Sequence, residues 1–157
     1  MLALFAFVAA VWTTADREES RWWAGAGALG AATVAALFAL VNITEIVLTA
    51  KAGRLAASPA VVQALWALHA AAFGLDMGAI AVALIGLSRA TASAGLIPAW
   101  LAAVSWPGAA CLLIASVFTV ALTNGGPWLA VGLAGFIVWL VFVITASISL
   151  LRGRQIP

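Results

Sequence analysis

The stretch from Trp22 to Ala50 reads WWAGAGALGAATVAALFALVNITEIVLTA, and Glu45 is its one charged residue. A membrane-spanning helix needs ~20 predominantly apolar residues, and this run exceeds that length. The whole chain is 66% hydrophobic and 8% charged, whereas a soluble domain has roughly 45–50% apolar and about 25% charged residues. Because so few polar groups would not cover a water-facing surface, we predict that lipid surrounds most of the chain.

Comparable apolar runs follow one another along the 157 residues, a length that suits one domain. The predicted helices are residues 1–14, 22–50, 60–88, 98–122 and 127–151. The first run is short for a span, whereas the second and third are each about 43 Å long at ~1.5 Å per residue. We therefore predict an all-α integral membrane bundle of about five transmembrane helices, with a short first helix, in a single domain over residues 1–157.

The cationic residues lie at the ends of the apolar runs and predict an orientation. With the N-terminus outside, the cytoplasmic side holds Arg17, Arg21, Arg89, Arg152 and Arg154, and the outer side holds Lys51 and Arg54. Because cytoplasmic loops carry an excess of Lys and Arg, this distribution favours N-out and C-in. Abundant Ala, Gly, Trp and Arg with a single Lys is typical of a GC-rich bacterial genome. We therefore predict a multi-pass protein of the bacterial cytoplasmic (inner) membrane.

Composition and motifs also exclude several classes of function. The basic residues do not cluster as they do in a nucleic-acid groove, so we expect no nucleic-acid partner. Cys111 is the one cysteine, so an internal disulfide and a C-x-x-C motif are impossible. A lone histidine also rules out haem ligation by two histidines of this chain. No nucleophile elbow, Walker loop or HExxH motif occurs in the sequence. The sequence thus identifies no cofactor and no metal site.

Small residues recur at four-residue spacing in two of the predicted helices and indicate close helix packing. They are Gly27, Ala31 and Ala35 in the second helix and Ala70, Gly74 and Gly78 in the third. Inside lipid, helices associate by close van der Waals packing, which small residues permit. We therefore predict that these two stripes let neighbouring backbones approach. Trp139 lies deep in the last run, and packing against neighbouring helices is favoured over the lining of a pocket.

Three ionisable side chains fall inside membrane-length runs: Glu45, His69 and Asp76. Such groups are costly there, by about 2.5–3.5 kcal/mol for an aspartate, and usually face the bundle interior or a wet cavity. Asn42 shares a helix face with Glu45, and His69 and Asp76 share a face two turns apart. The depths of Glu45 and His69 permit a contact between antiparallel neighbours. The pattern predicts a polar track from the outer face towards Asp76 near the midplane, although His69 and Asp76 would need water or another helix to connect them.

Several roles are open for this polar set. It would hold helices together by hydrogen bonds, which is favoured because polar contacts between membrane helices are common. A carboxylate beside an imidazole would also relay protons or bind a cation, or act as an acid–base pair on a lipid-soluble substrate. One histidine and two carboxylates would bind a metal, but the usual facial triad has two histidines.

Two elements in the second half of the chain carry a resemblance to a family. The stretch from Gly86 to Arg89 is followed by residues 95–101, GLIPAWL, and then by Pro107 and Gly108. This pattern resembles uncharacterised bacterial multi-pass membrane proteins of the DUF4386 type, in which a helix ends in a basic loop and an IPxWL element opens the next helix. The resemblance covers roughly residues 60–151. It implies a helical membrane fold and assigns no reaction and no catalytic residues.

The function we expect first is that of a non-enzymatic bundle in the lipid bilayer. It would bind a hydrophobic small molecule, a partner membrane subunit or another copy of itself, or help a larger membrane complex to assemble. A second hypothesis is a proton- or cation-coupled transport component that uses Glu45, His69 and Asp76. A third is a membrane enzyme that acts on a lipid-like substrate with the same residues.

Overall fold

A computed structural model describes residues 2–55, 57–119 and 128–152, and these residues form helices joined by short connections, with no strand among them. We number the helices in chain order. They are α1 (Leu2–Thr13), α2 (Glu18–Ala50), α3 (Ala52–Leu55), α4 (Pro59–Ser93), α5 (Ala99–Val117) and α6 (Trp128–Arg152). The predicted all-α architecture is confirmed for this part of the chain.

Four of these helices, α2, α4, α5 and α6, are long and apolar enough to cross a membrane. Their lengths are 33, 35, 19 and 25 residues, respectively. By contrast, α1 has 12 residues, which gives about 18 Å at the helical rise against a hydrocarbon core of ~30 Å. The first helix is short, as predicted, while the fifth crossing and the N-out orientation stay predictions.

The second helix begins at Glu18, one turn earlier than the predicted Trp22, although this turn is strongly polar. The Arg17 N–H donates to Ser20 Oγ at 3.1 Å, and Ser20 Oγ donates in turn to the Arg17 carbonyl at 2.8 Å. Glu18 and Glu19 lie in the first turn, where a negative charge is favourable beside the positive end of the helix dipole. Local capping therefore extends α2 beyond its apolar run.

The fourth helix likewise continues to Ser93, past the predicted end at Ser88. Its termination is a Schellman motif, in which the Leu96 N–H bonds to the Thr91 carbonyl at 2.9 Å and the Gly95 N–H bonds to the Ala92 carbonyl at 3.0 Å. Gly95 has φ 67°, a left-handed conformation that glycine adopts at little cost. The turn chemistry around Gly95, rather than the end of the apolar run, decides where α4 stops.

Two other predicted boundaries differ from the structure. The predicted loop over residues 51–59 contains the single-turn helix α3, and α5 ends at Val117 instead of residue 122. The predicted turn over residues 123–126 lies outside the described residues. The last helix agrees with its prediction to within one residue at each end.

The centre of the bundle is α4, which contacts every other long helix and is the most deeply buried of them. Its closest partner is α2. A Cβ added at Gly30 would lie 2.5 Å from Ala83 N, and one added at Gly27 would lie 2.7 Å from Leu87 N. A Cβ at Gly86 would collide with the backbone of Gly27. The two helices thus touch through backbone atoms, at a distance that only glycine permits.

The small-residue stripe predicted on the third helix has a different partner from the one on the second. Gly27 and Ala31 are buried in α2, but Gly74 and Gly78 of α4 contact Thr119 and Ser116 near the end of α5. The two stripes therefore do not pack against each other. The stripe on α2 contacts one side of α4. Gly74 and Gly78 lie on another side of α4, where they contact α5.

A third close crossing joins α5 to α6. A Cβ at Gly135 would lie 2.6 Å from the Gly108 carbonyl oxygen, and one at Gly108 would lie 2.6 Å from Val138 Cγ1. The helix α5 continues through Pro107, which lies next to this crossing. The residue Ser105 donates to the Leu101 carbonyl at 2.8 Å. The carbonyl that Pro107 leaves without a backbone donor is that of Ala103, so the Ser105 hydroxyl serves a different carbonyl.

The crossing of α2 and α4 generates a test of stability. We expect Gly30→Ala to lower the free energy of unfolding by about 1–3 kcal/mol, because the new methyl group overlaps backbone atoms of Ala83 that have no rotamer to change. The measurement is reversible unfolding in detergent micelles, followed by circular dichroism. The matched control is Gly25→Ala in the same helix, where the added Cβ meets a Trp12 ring carbon at an ordinary 3.5 Å.

The control should be neutral or stabilise by about 0.5–1 kcal/mol, because alanine has the higher helix propensity. Equal stability of the Gly30 and Gly25 variants would contradict the close crossing.

Candidate functional site

Two of the predicted polar residues meet between α2 and α4. Glu45 Oε1 lies 3.9 Å from His69 Nε2, and the His69 side chain is 17% exposed while that of Glu45 is 55% exposed. The antiparallel hairpin of α2 and α4 brings together these residues, which are far apart in the sequence. The pair lies towards the end of the bundle that the charge distribution predicts to face outside.

Two further side chains complete the surroundings of His69. The Thr44 hydroxyl donates to the Val41 carbonyl at 2.7 Å and also lies 3.4 Å from His69 Nδ1. Since the hydroxyl proton is already used, the second contact requires Nδ1–H as the donor, and Nε2 lies on the side of the ring that faces Glu45. The Trp66 ring packs edge-on against the imidazole with centroids 5.2 Å apart. Thr44 and Trp66 thus hold the imidazole in place.

The remaining members of the predicted polar set lie apart from this pair. The Asn42 side-chain amide donates to the Phe38 carbonyl of its own helix at 2.7 Å. Asp76 forms no hydrogen bond or ion pair with Glu45 or His69 within the part of the chain that the structure describes. The structure thus brings Glu45 to His69, whereas Asp76, two turns further along the same face of α4, belongs to a second region.

That second region is a cavity of about 550 Å³ bounded by α1, α2, α4 and α6. Its wall is almost entirely apolar, and aromatic rings supply much of it: Phe7, Phe38, Phe73, Phe136 and Trp139. Asp76 and Ser147 are the two polar residues among those that line it. Leu129 and Leu133 on the α6 side of the cavity are more than half exposed. The cavity therefore opens sideways, onto the surface that lipid would cover.

The cavity lies at the level of the first turn of α1. Both α2 and α6 are at least twice as long as α1, so α1 covers only part of the groove between them. Ala3 and Leu4, in the first turn of α1, line the cavity beside Val34 of α2. Deeper along α1, Phe7 packs edge-on against Phe142 of α6, with ring centroids 6.0 Å apart. The aromatic contact closes the groove where α1 is present, and the cavity lies where α1 begins.

Asp76 lies at the midpoint of α4 and lines this cavity. The residue is 6% exposed, and its Oδ1 atom is buried with no hydrogen-bond donor near it among the described residues. A buried polar atom without a partner costs about 1–3 kcal/mol, and more when the group is charged. This carboxyl group is therefore the least satisfied polar group in the described bundle, and it is placed in the wall of its apolar cavity.

Asp76 stands out in the sequence as a charged residue in an apolar run, whereas the cavity around it does not. Trp139 packs against Phe142 of its own helix with ring centroids 5.9 Å apart, and it lines the cavity, the role that the sequence did not favour for it. The cavity forms where four helices meet, so no pattern within a single apolar run indicated it.

A metal site would need several ligating side chains in one place. Over residues 2–55, 57–119 and 128–152, no group of three or more His, Cys, Asp or Glu side chains is placed to hold a metal ion. Comparison with known proteins finds no matching family model, no similar curated protein and no similar solved structure. The geometry of the bundle is therefore the basis for the functional argument.

The lack of a partner for Asp76 predicts a measurable instability. We expect Asp76→Leu to raise the free energy of unfolding by about 1–3 kcal/mol, because the substitution removes a buried unsatisfied carboxyl group beside an open cavity. Reversible unfolding in detergent micelles measures this change. The control is Thr44→Val, which removes a buried hydroxyl that is already bonded to a carbonyl and should give no such gain. A loss of stability in Asp76→Leu would show that the carboxyl group has a stabilising partner.

Proposed function

We propose that the protein is a non-enzymatic membrane bundle that binds a hydrophobic small molecule in the cavity between α1, α2, α4 and α6. The observation that carries the proposal is the burial of Asp76 in the wall of an otherwise apolar cavity. A helical bundle built only for rigidity gains nothing from a carboxyl group at that depth, and polar residues within membrane helices commonly mark ligand or ion sites.

The size and surface of the cavity support this proposal. Small-molecule sites have volumes of roughly 300–1,000 Å³ and are predominantly apolar with a few placed polar groups. The cavity has about 550 Å³ and contains two polar residues among its lining side chains. Its lateral opening suits a molecule that first dissolves in the bilayer and then enters between α1 and α6.

Several features of the setting belong to the same proposal. We place the protein in the bacterial cytoplasmic membrane with its N-terminus outside, on the strength of its loop cations. A partner membrane subunit or a second copy of the chain is the competing occupant of the groove. Membership of the DUF4386 type is compatible with this function and assigns it no reaction.

Fluorescence quenching tests the binding function directly. Bromododecane in lipid nanodiscs should quench the emission of Trp139, because a bromine atom inside the cavity would contact its ring. The Trp139 signal is the difference between the wild type and Trp139→Phe, since the chain holds eight tryptophans. We expect Val143→Phe, which fills a lining position, to weaken this quenching about ten-fold through steric overlap.

The matched control is Val141→Phe, two residues away on the exposed side of the same helix. It should quench like the wild type. Equal quenching in both valine variants would show that the bromine reaches Trp139 from the surrounding lipid and would overturn the proposal. Native mass spectrometry that finds a second polypeptide in place of the probe would favour a subunit in the groove.

A second candidate function has one observation in its favour, the 3.9 Å approach of Glu45 to His69. A carboxylate beside an imidazole is able to pass a proton or bind a cation. If the protein couples to protons, proteoliposomes with an internal pH dye should show a flux that His69→Ala abolishes and that Thr49→Val, at the same end of α2, leaves intact. Equal dye signals from liposomes with and without the protein would exclude this function.

A further inference from the structure

We infer that the ligand of the cavity is a lipophilic amine, with an apolar body along the aromatic wall and a cationic nitrogen that donates to Asp76. This inference rests on the proposed binding function and adds the chemical class of the ligand. It follows from what Asp76 lacks, from where it lies and from the shape of the space around it.

Asp76 lacks a hydrogen-bond partner among the described residues. In the described ranges, the contacts between acidic and basic side chains are Glu45 with His69 and Glu19 with Arg89, so no basic side chain there pairs with Asp76. The arginines and the lysine of that part lie in connecting segments or near helix ends. Asp76 at the midpoint of α4 is far from them along the helix axis. A molecule that enters from the lipid is left as the source of a positive charge or a donor.

A cationic donor suits Asp76 better than a neutral donor does. A carboxylate in an apolar environment is strongly penalised unless a charge of opposite sign and a hydrogen bond offset its loss of hydration. An ammonium group supplies both, and hydrogen bonds between ionised groups are roughly twice as strong as those between neutral groups. A hydroxyl group supplies the hydrogen bond without the charge. The alcohol is therefore the weaker ligand, and it is the natural comparison.

The aromatic lining of the cavity suits the apolar body of the ligand. Phe73 lies one turn from Asp76 on α4 and lines the same cavity, as do Phe136 and Trp139 on the facing side of α6. Aromatic faces attract a nearby cation as well as an alkyl chain. The nitrogen would thus lie between the carboxyl group and these rings, with the apolar body towards the lateral opening beside Leu133.

The test compares three probes of the same chain length in lipid nanodiscs. They are ω-bromododecylamine, ω-bromododecanol and bromododecane, and the readout is quenching of Trp139, again as the difference from Trp139→Phe. Affinity is expressed per mole of probe in the bilayer, so that unequal partitioning into lipid does not count as binding. We expect the amine to bind the wild type about ten-fold or more tightly than the alcohol.

The variant Asp76→Asn tests whether Asp76 causes the preference for the amine over the alcohol. In Asp76→Asn, the amine should lose about ten-fold or more in affinity and fall to the level of the alcohol, because the amide offers a neutral acceptor. The control is Asp16→Asn, which removes an exposed carboxylate at the far end of α2 and should leave the preference unchanged. If Asp76→Asn does not fold, the comparison of amine with alcohol in the wild type carries the test alone.

The outcomes separate this inference from the function beneath it. Equal affinities for the three probes, each sensitive to Val143→Phe, would overturn the amine preference and retain the apolar binding site. Failure of every probe to quench Trp139 in a way that Val143→Phe changes would overturn both. A preference for the amine that persists in Asp76→Asn would show that the charge is recognised elsewhere, and it would also overturn the inference.

Discussion

Backbone atoms of α2 and α4 meet where Gly30 faces Ala83 and where Gly27 faces Gly86, and the arrangement of the other helices follows from this contact. Lipid tails are as apolar as the side chains they cover, so burial of apolar surface does not draw helices together in a bilayer. Close van der Waals contact does, and it is greatest where no Cβ atom separates the backbones. The glycines therefore make α2 and α4 a rigid pair around which the bundle is built.

The position of Asp76 is a consequence of that pair. Asp76 lies on the side of α4 that faces α2, one turn from Ala79, whose carbonyl lies beside Gly30, and Val34 and Phe38 of α2 line the cavity with it. Residues of α1 and α6 complete the lining. The result is an apolar cavity with one carboxyl group in its wall and an opening towards lipid. The Glu45 and His69 pair lies outside this cavity, between α2 and α4.

A buried carboxyl group without a partner is a local conflict within an otherwise consistent bundle. Elsewhere, buried hydroxyl groups such as those of Thr91 and Ser105 donate to carbonyls of their own helix, so they require nothing from outside. Proteins commonly accept a loss of stability where a site must recognise a ligand. The conflict at Asp76 is of this kind, and it marks the cavity as the place where the molecule interacts with something other than itself.

The sequence alone determined that the chain is helical, that its runs suit lipid, that its first helix is short, and that Glu45, His69 and Asp76 are the unusual residues. These follow from composition and periodicity, which are local. It did not determine that Gly74 and Gly78 face α5, that Ser93 ends α4, or that Asp76 parts from His69 and lines a cavity. Those features depend on which backbones approach most closely and on which helices border the same cavity. Both are properties of helices packed together, and no single helix carries them.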